Sequence, residues 1–343
     1  MRLEFRERSL RLAAPLRTAT GLVSERPLVQ VSLTDADGLS GYGEAAPLPG
    51  YDGVTVARVT QSLERYGDAL DGCDAVAREQ LLGRCREVDD LPQALAAVDL
   101  ALWDREGRLR RAPVAALLSE HPATRVAVNA TIGAGDVVAA AQTAAAAREQ
   151  GYGCVKVKVG LCDDAERVAA VRAGAGADMA LRVDANGAWT VPEAAAAIGA
   201  LSSARLELVE EPVHGVAAIR ELRDRVQARI AIDETAAEPG ALGAGAADAV
   251  CLKISRCGGI TGLLAAARQV HASGAAAYLA STLDGPLGIA AALHAAAALQ
   301  DDAPLPHCGL ATLALFADLE DPLPVRAGQI AVPRDPGLGV GPL

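Results

Sequence analysis

The sequence predicts an α/β protein, a closed parallel barrel of TIM type set behind a smaller α+β domain, and three observations predict it. From about residue 124 onward, short apolar stretches recur with helix-favouring, Ala-rich stretches between most of them. The apolar stretches are VAVNA, CVKVKV, ALRVDA, LELVEE, RIAIDE, AVCLKI, AAYLAS and PLPHC, eight candidate strands in one repeated strand–helix beat. Before them the order differs, with strand-like sequence first and helix-like sequence after it, as in a separate α+β unit. Finally, no GxGxxG follows the first strand, which disfavours an open, doubly wound nucleotide-binding sheet. The expected organisation is a capping domain over residues 1–120, a barrel over 124–310, and a segment over 311–343 that returns to the cap.

The elements follow in order. LEFRERSLRL alternates apolar and polar residues, and PLVQVSLTDADGLSGYGE reads as two strands turning at Asp35–Gly38. PLPGYDG is Gly/Pro punctuation. Residues 54–120 read as helices, and LPQALAAVDLALWD places Leu95, Val98 and Leu102 on one helical face. After the barrel, ADLEDPLPVRAGQIAVPRDPGLGV has too many prolines for a helix and is expected to run as loop and short strand.

Composition narrows the function. The chain has 343 residues, 51% of them hydrophobic, enough for one large core and a smaller one. A net charge of −11 argues against a nucleic-acid partner, because phosphate binding needs a basic face. Seven scattered cysteines without a CxxC pair indicate neither a disulfide framework nor a zinc site, and a reduced cytoplasm fits. MRLEFRERSL lacks the apolar run of a signal peptide, and the Ala-rich runs are too broken or too short to span a bilayer, so no membrane role is expected.

The most telling feature is lysine. Only Lys156, Lys158 and Lys253 occur; every other fixed positive side chain is an arginine, which keeps its proton at ordinary pH. In a barrel the reactive groups sit at the C-terminal ends of strands. Those ends carry, in order, Lys158, Asp184, Glu210, Asp233 and Lys253, at separations of 26, 26, 23 and 20 residues, about one βα unit each. Lys156 and Lys158 share a strand face, as do Arg182 and Asp184. Three converging carboxylates make a hard oxygen site suited to Mg²⁺ rather than zinc. Flanking amines whose pKa the metal lowers suit removal of a proton beside a carboxylate, with the metal stabilising the enediolate. A single Asp after a strand is commonly a helix cap, a reading that fits Glu211 and Glu234. Alternating lysines can also guard an edge strand. Three carboxylates and three lysines in register exceed what either explains.

At these residues the chain resembles the enolase superfamily, within it the muconate-lactonizing-enzyme subgroup, over nearly its whole length. GYGEAAPLPG and ALAAVDLALWDREGR are similar to that family's cap; VKVKVG, RVDANGAW, VEEP, AIDET and LKISRCGG are similar to its barrel motifs, in order. The resemblance implies a modified (β/α)7β barrel, with Asp184, Glu210 and Asp233 as Mg²⁺ ligands. It implies Lys158 as the base on one face of a small carboxylate substrate, Lys156 beside it, and Lys253 on the other face. Asn186 would support the metal ligand. Arg182, Ser281, Thr282 and Tyr51 are further candidates for supporting the site or binding substrate. Loops near 15–26 and 46–53 would close over the mouth, and a homo-oligomer is compatible.

The reaction within the subgroup depends on the last strands. AAYLASTLDG has no histidine of the kind that dehydratases and mandelate-racemase-like members use, and His271, His294 and His307 are expected at the surface, on a helix face and in strand packing, outside the chemistry. PLPHCGLATL lacks the Asp-x-Asp by which dipeptide epimerases are alike. LASTLDGPLGIAAALHAAAAL with PHCGLATLALFADL is most similar to actinobacterial o-succinylbenzoate synthases. That likeness implies a lyase of menaquinone synthesis; an isomerase of the subgroup (racemase, cycloisomerase or epimerase) is the alternative.

Overall fold

The structure, a computed structural model, describes residues 1–343 except 19, 20, 75, 134 and 303. It opens with an antiparallel sheet of β1 (Arg2–Thr18), β2 (Gly21–Thr34) and β3 (Ser40–Ala45). The β2–β3 turn falls at Asp35–Gly38, where the sequence places it. β1 and β2 pair from Arg2↔Thr34 to Arg11↔Glu25 and again from Leu16↔Val23. Most of the segment expected as a mouth loop near 15–26 is therefore paired hairpin, and its residues 19 and 20 lie outside the described residues. Helices α1 (Pro49–Asp52), α2 (Val56–Leu70), α3 (Arg78–Val88), α4 (Pro92–Arg110) and α5 (Val114–Leu118) follow.

Helix α4 is buried on more than one side. Leu95 and Val98 pack with Val31, Leu63 and Tyr66 in the cap's own core, while Leu100 and Trp103 pack into the barrel's core. The single apolar stripe read from the sequence is thus one of two faces. Two glycines of GYGE explain how α4 fits: a Cβ at Gly41 or Gly43 would overlap the carbonyl oxygens of Ala101 and Ala97, so only glycine lets the helix lie flat on β3.

After β4 (Arg125–Ala127), the barrel consists of β5 (Ala130–Ile132), α6 (Val137–Glu149), β6 (Cys154–Lys158), α7 (Asp164–Ala175), β7 (Ala180–Asp184), α8 (Val191–Ala200), β8 (Leu208–Glu210), α9 (Val216–Arg223), β9 (Ile230–Ile232), β10 (Ala249–Leu252), α10 (Ile260–Ala272), β11 (Ala276–Leu279) and α11 (Pro286–Asp302). Strands β5 to β11 form one parallel sheet in chain order. Two short 3₁₀ turns replace the helix after β9, where Pro239, Gly240, Gly243 and Gly245 punctuate the chain. Two sequence expectations change. VAVNA splits: β5 enters the barrel, whereas β4 pairs with the antiparallel ladder of β12 (Val325–Arg326) and β13 (Gln329–Ala331). PLPHC is not an extended strand, since Pro304 and Pro306 have no N–H to give. It closes the sheet by bridges, Val128↔Cys308 on one side and Ala280↔Gly309 on the other.

The chain's last segment returns to the cap and its seam. Leu338 N–H donates to Asp104 of α4 at 2.8 Å, and Leu343 N–H donates to Gln30 of β2 at 3.0 Å. Fully buried His294 of α11 joins this segment to α5. Its Nδ1 accepts from Ala115 N–H at 3.1 Å, which leaves Nε2 to donate to the Leu338 carbonyl at 3.2 Å. Burial pushes its pKa down to about 4. The folded value lies below the unfolded one, so the stability is present above pH 6.5 and is lost as pH falls towards 4. The expected loss is roughly 3 kcal/mol. Urea midpoints at pH 7.5 and 4.5 check this, and His294→Gln, which keeps a donor and an acceptor but does not titrate, is expected to flatten the difference.

Candidate active site

The barrel register assembles the site. Lys158 pairs laterally with Asp184 and Asp184 with Glu210, while Asp233 and Lys253 directly follow β9 and β10. All six lysine and carboxylate candidates come together. Lys158 Nζ donates to Asp184 Oδ2 and to Asn186 Oδ1, both at 2.6 Å. Lys156 Nζ bridges Glu210 Oε1 at 2.9 Å and Asp184 Oδ2 at 3.0 Å. Lys253 Nζ donates to Asp233 Oδ1 and to Tyr51 Oη, both at 2.7 Å, and Tyr51 Oη donates to Asp233 Oδ1 at 2.6 Å. Tyr51, from α1 of the cap, is thus the one cap side chain named in advance that reaches the acidic cluster. The lysines differ in access: the Lys158 side chain is 32% exposed, that of Lys156 12% and that of Lys253 8%. Lys158 is the amine open to the mouth.

Charge is tightly compensated. Burial alone would raise Asp184, but Lys156 and Lys158 outweigh it and hold the carboxyl well below its ordinary range. Asp233 is likewise held low against burial by Lys253. Burial would lower Lys156 and Lys253, yet the facing carboxylates raise both well above the usual lysine value. The depressed amine pKa expected from the sequence therefore depends on a cation drawing on the same carboxylates. The residues fit such a cation. Glu210 is fully buried, and its Oε2 has no hydrogen-bond partner while Oε1 is held by Lys156. Ligand atoms of Glu210 and Asp233 lie within 4.8 Å of each other, and Asp184 is on the adjacent strand. Carboxylate oxygens of this kind are the hard donors that Mg²⁺ takes.

The remaining candidates take varied places. Asn186 stands in the site, bridging Lys158 to Glu234 Oε1 at 2.9 Å through its Nδ2. Arg182 faces inward but one layer deeper. It pairs with Glu207 at 2.7 Å, donates to the His307 carbonyl, and lies over the Tyr278 ring among the residues that plug the barrel. Ser281 and Thr282 shape the loop after β11: Ser281 Oγ accepts from Asp284 N–H at 2.9 Å, and buried Thr282 contacts Ser255 and Asp284.

Four contributors were not identified as site residues from the sequence. Glu211 has a buried carboxylate that accepts from the backbone N–H of Asp233 at 2.7 Å and of Thr235 at 2.9 Å, so it holds the loop of the next ligand. The helix-cap reading is right in kind, though the capped turn belongs to the neighbouring strand's loop. Glu211 adopts φ 39, an uncommon backbone for a non-glycine residue. Glu234 faces Asn186 instead of capping a helix, and burial next to Asp233 pushes its pKa to about 7. Arg256 donates to Tyr51 Oη at 2.6 Å. Arg26 is fully buried between cap and barrel. Its place is invisible to spacing arguments, because it lies in a hairpin far from the strand ends.

A parallel barrel whose mouth presents three carboxylates and three lysines, roofed by an α+β cap, has the fold and the groups of an acid–base enzyme. Comparison with known proteins gives the family. Residues 2–119 match the mandelate racemase / muconate lactonizing enzyme N-terminal domain, and residues 138–342 match the enolase C-terminal domain-like family. The chain belongs to the enolase superfamily, in its mandelate racemase / muconate lactonizing enzyme group. It is 30% identical over 310 residues to a hydrophobic dipeptide epimerase of Enterococcus faecalis, covering 86% of each chain. It is 44% identical over 223 residues to o-succinylbenzoate synthase of Mycobacterium tuberculosis, covering 61% of this chain and 65% of that one. Its fold superposes with a TM-score of 0.90, at 27% identity and over 98% of each chain, on the dipeptide epimerase from Enterococcus faecalis V583 complexed with Mg and L-Leu-L-Tyr.

Proposed function

We propose that this chain is a Mg²⁺-dependent lyase that forms o-succinylbenzoate by dehydrating a cyclohexadiene carboxylate. The observation that carries the choice is the 44% identity to the mycobacterial synthase, against 30% to the epimerase. The barrel's closing segment agrees with it. Cys308–Thr312 has no acidic side chain, so it offers no carboxylate to hold the ammonium of a dipeptide.

Asp184, Glu210 and Asp233 would hold the ion. When bound, it supplies positive charge beside the substrate carboxylate, which acidifies the neighbouring C–H. Lys158, the accessible amine, takes that proton at Nζ. The resulting ammonium stands where it can return a proton to the departing hydroxyl, so that water leaves and the ring becomes aromatic. Asn186 Oδ1 fixes the Lys158 Nζ position, and Lys156 keeps a second positive charge behind Asp184 and Glu210. Lys253, on the far side of the carboxylates, stabilises negative charge on the opposite substrate face. Tyr51 and Arg256 tie the cap over that side and exclude water. The test is incubation of purified protein with Mg²⁺ and the cyclohexadiene carboxylate. Loss of diene absorbance with matching aromatic product is expected, and unchanged absorbance would sink the lyase reading.

One observation favours a second reading in the same family. Lys158 and Lys253 stand at opposite ends of the carboxylate array, so a proton can leave from one face and return on the other. That arrangement suits racemisation of N-acylamino acids. Deuterium incorporation at the α-carbon of N-succinylamino acids in D₂O would support it, and no exchange across a panel would exclude it.

A further inference from the structure

Cys251 is used by nothing in the chemistry above. It lies on β10, two residues before Lys253 and on the same inward face, beside Asp233 of the preceding strand's end. One ligand atom each from Cys251, Glu210 and Asp233 lie within 4.8 Å of one another, and all three residues are buried. The Oε2 of Glu210 is buried without a partner. A cavity of about 250 Å³, lined in part by Asp233, Cys251, Lys253 and Tyr51, borders the group. Mg²⁺ has no use for sulfur, whereas zinc and cadmium bind thiolate and carboxylate together. Tetrahedral zinc with ordinary Zn–S and Zn–O lengths sets its ligand atoms roughly 3.5 Å apart, so the three need only move inward by about an ångström.

We propose that Glu210, Asp233 and Cys251 form a site for a thiophilic divalent cation, one that shares two carboxylates with the Mg²⁺ site and excludes Mg²⁺ when filled. This rests on the reading of Asp184, Glu210 and Asp233 as the Mg²⁺ ligands. Filling it forms a metal–Sγ bond, releases the Cys251 thiol proton to solvent and displaces the Lys253 ammonium from Asp233; no oxidation state changes. The enzyme would then be inhibited by zinc at concentrations where Mg²⁺ is in large excess.

Chelator-treated full-length protein is titrated with Cd²⁺ and followed by the ultraviolet thiolate-to-cadmium charge-transfer band. One equivalent is expected to produce the band in the wild type. In Cys251→Ser the band is expected to be lost and Cd²⁺ affinity to fall at least tenfold, while calorimetric Mg²⁺ affinity stays within about twofold. An equal band in both proteins, which would trace it to the other six cysteines, overturns the proposal, as does an equal loss of Mg²⁺ and Cd²⁺ affinity. Should Cys251→Ser fail to fold, X-ray absorption of the zinc-loaded wild type decides: one sulfur in the first shell supports the site, and an all-oxygen or nitrogen shell refutes it. Neither readout involves turnover. An inactive substrate assay therefore leaves this result standing, and a missing sulfur ligand leaves the proton-abstraction reading intact.

Discussion

Replacing Lys158 with alanine is expected to lower turnover by roughly 10³, within the range that a positioned base contributes, while the protein stays folded. Lys158 is the lysine most open to the mouth, its side chain 32% exposed against 12% for Lys156 and 8% for Lys253. Its loss leaves Asp184 paired with Lys156 at 3.0 Å, so no buried carboxylate is abandoned without a partner. The melting temperature is therefore expected to move by only a few degrees, about the effect of 1–2 kcal/mol in a chain of this size. Lys156→Ala differs in kind, because it strips buried Glu210 Oε1 of its one hydrogen-bond partner among the described residues and should cost stability as well as rate. Steady-state kinetics and thermal melts of the two variants side by side separate these effects. A Lys158→Ala enzyme within tenfold of wild type would remove Lys158 from the base position.

The second large effect is expected from Arg26→Met. The guanidinium is fully buried and donates to the carbonyls of Ala46 at 2.6 Å, of Pro27 and Thr282 at 3.1 Å, and of Pro47. It therefore holds the cap loop that leads into Tyr51 against the barrel loop after β11. It also faces the buried carboxyls of Glu44 and Asp284; burial and Asp284 push Glu44 up to about 8. Methionine fills the space but donates nothing, so three or more buried carbonyls lose their partner at about 1 kcal/mol or more each. The sum is about 3–5 kcal/mol, a large share of the 5–15 kcal/mol typical of a whole domain. Denaturant unfolding checks the magnitude. Because the tie ends at the loop carrying Tyr51, amide exchange should accelerate first in the peptides around residues 46–53 and 281–285. Uniform acceleration throughout the barrel would show that Arg26 is only a core residue.

Much of the site was legible in the sequence because barrel geometry turns spacing into position. One residue per strand end, at intervals of about one βα unit, placed Lys158, Asp184, Glu210, Asp233 and Lys253 around one mouth, and alternation placed Lys156 on the inner face. Arg182 shows the limit of the same rule. Alternation sets the face but not the depth, and Arg182 belongs to the plug with Glu207 and Tyr278. Glu211 and Glu234 show another limit, because their partners, Asp233 and Thr235 for the first and Asn186 for the second, lie on the loops of other strands and follow from three-dimensional register alone. In the fold, helix periodicity in α4 revealed one apolar face. The second appears only once the barrel is packed against it. The eighth strand reads as apolar, yet its prolines reduce it to two bridges.

On the proposed function, the carboxylate array holds Mg²⁺ for chemistry and leaves the fold to the apolar cores. The most direct test of this measures o-succinylbenzoate formation and the thermal melt on the same sample, after exhaustive chelation and again after Mg²⁺ is restored. Product formation is expected to vanish and return while the melting temperature shifts by only a few degrees, the effect of one ligand at moderate saturation. Turnover that persists in the chelated protein, or a protein that melts in step with its loss of activity, would contradict the account.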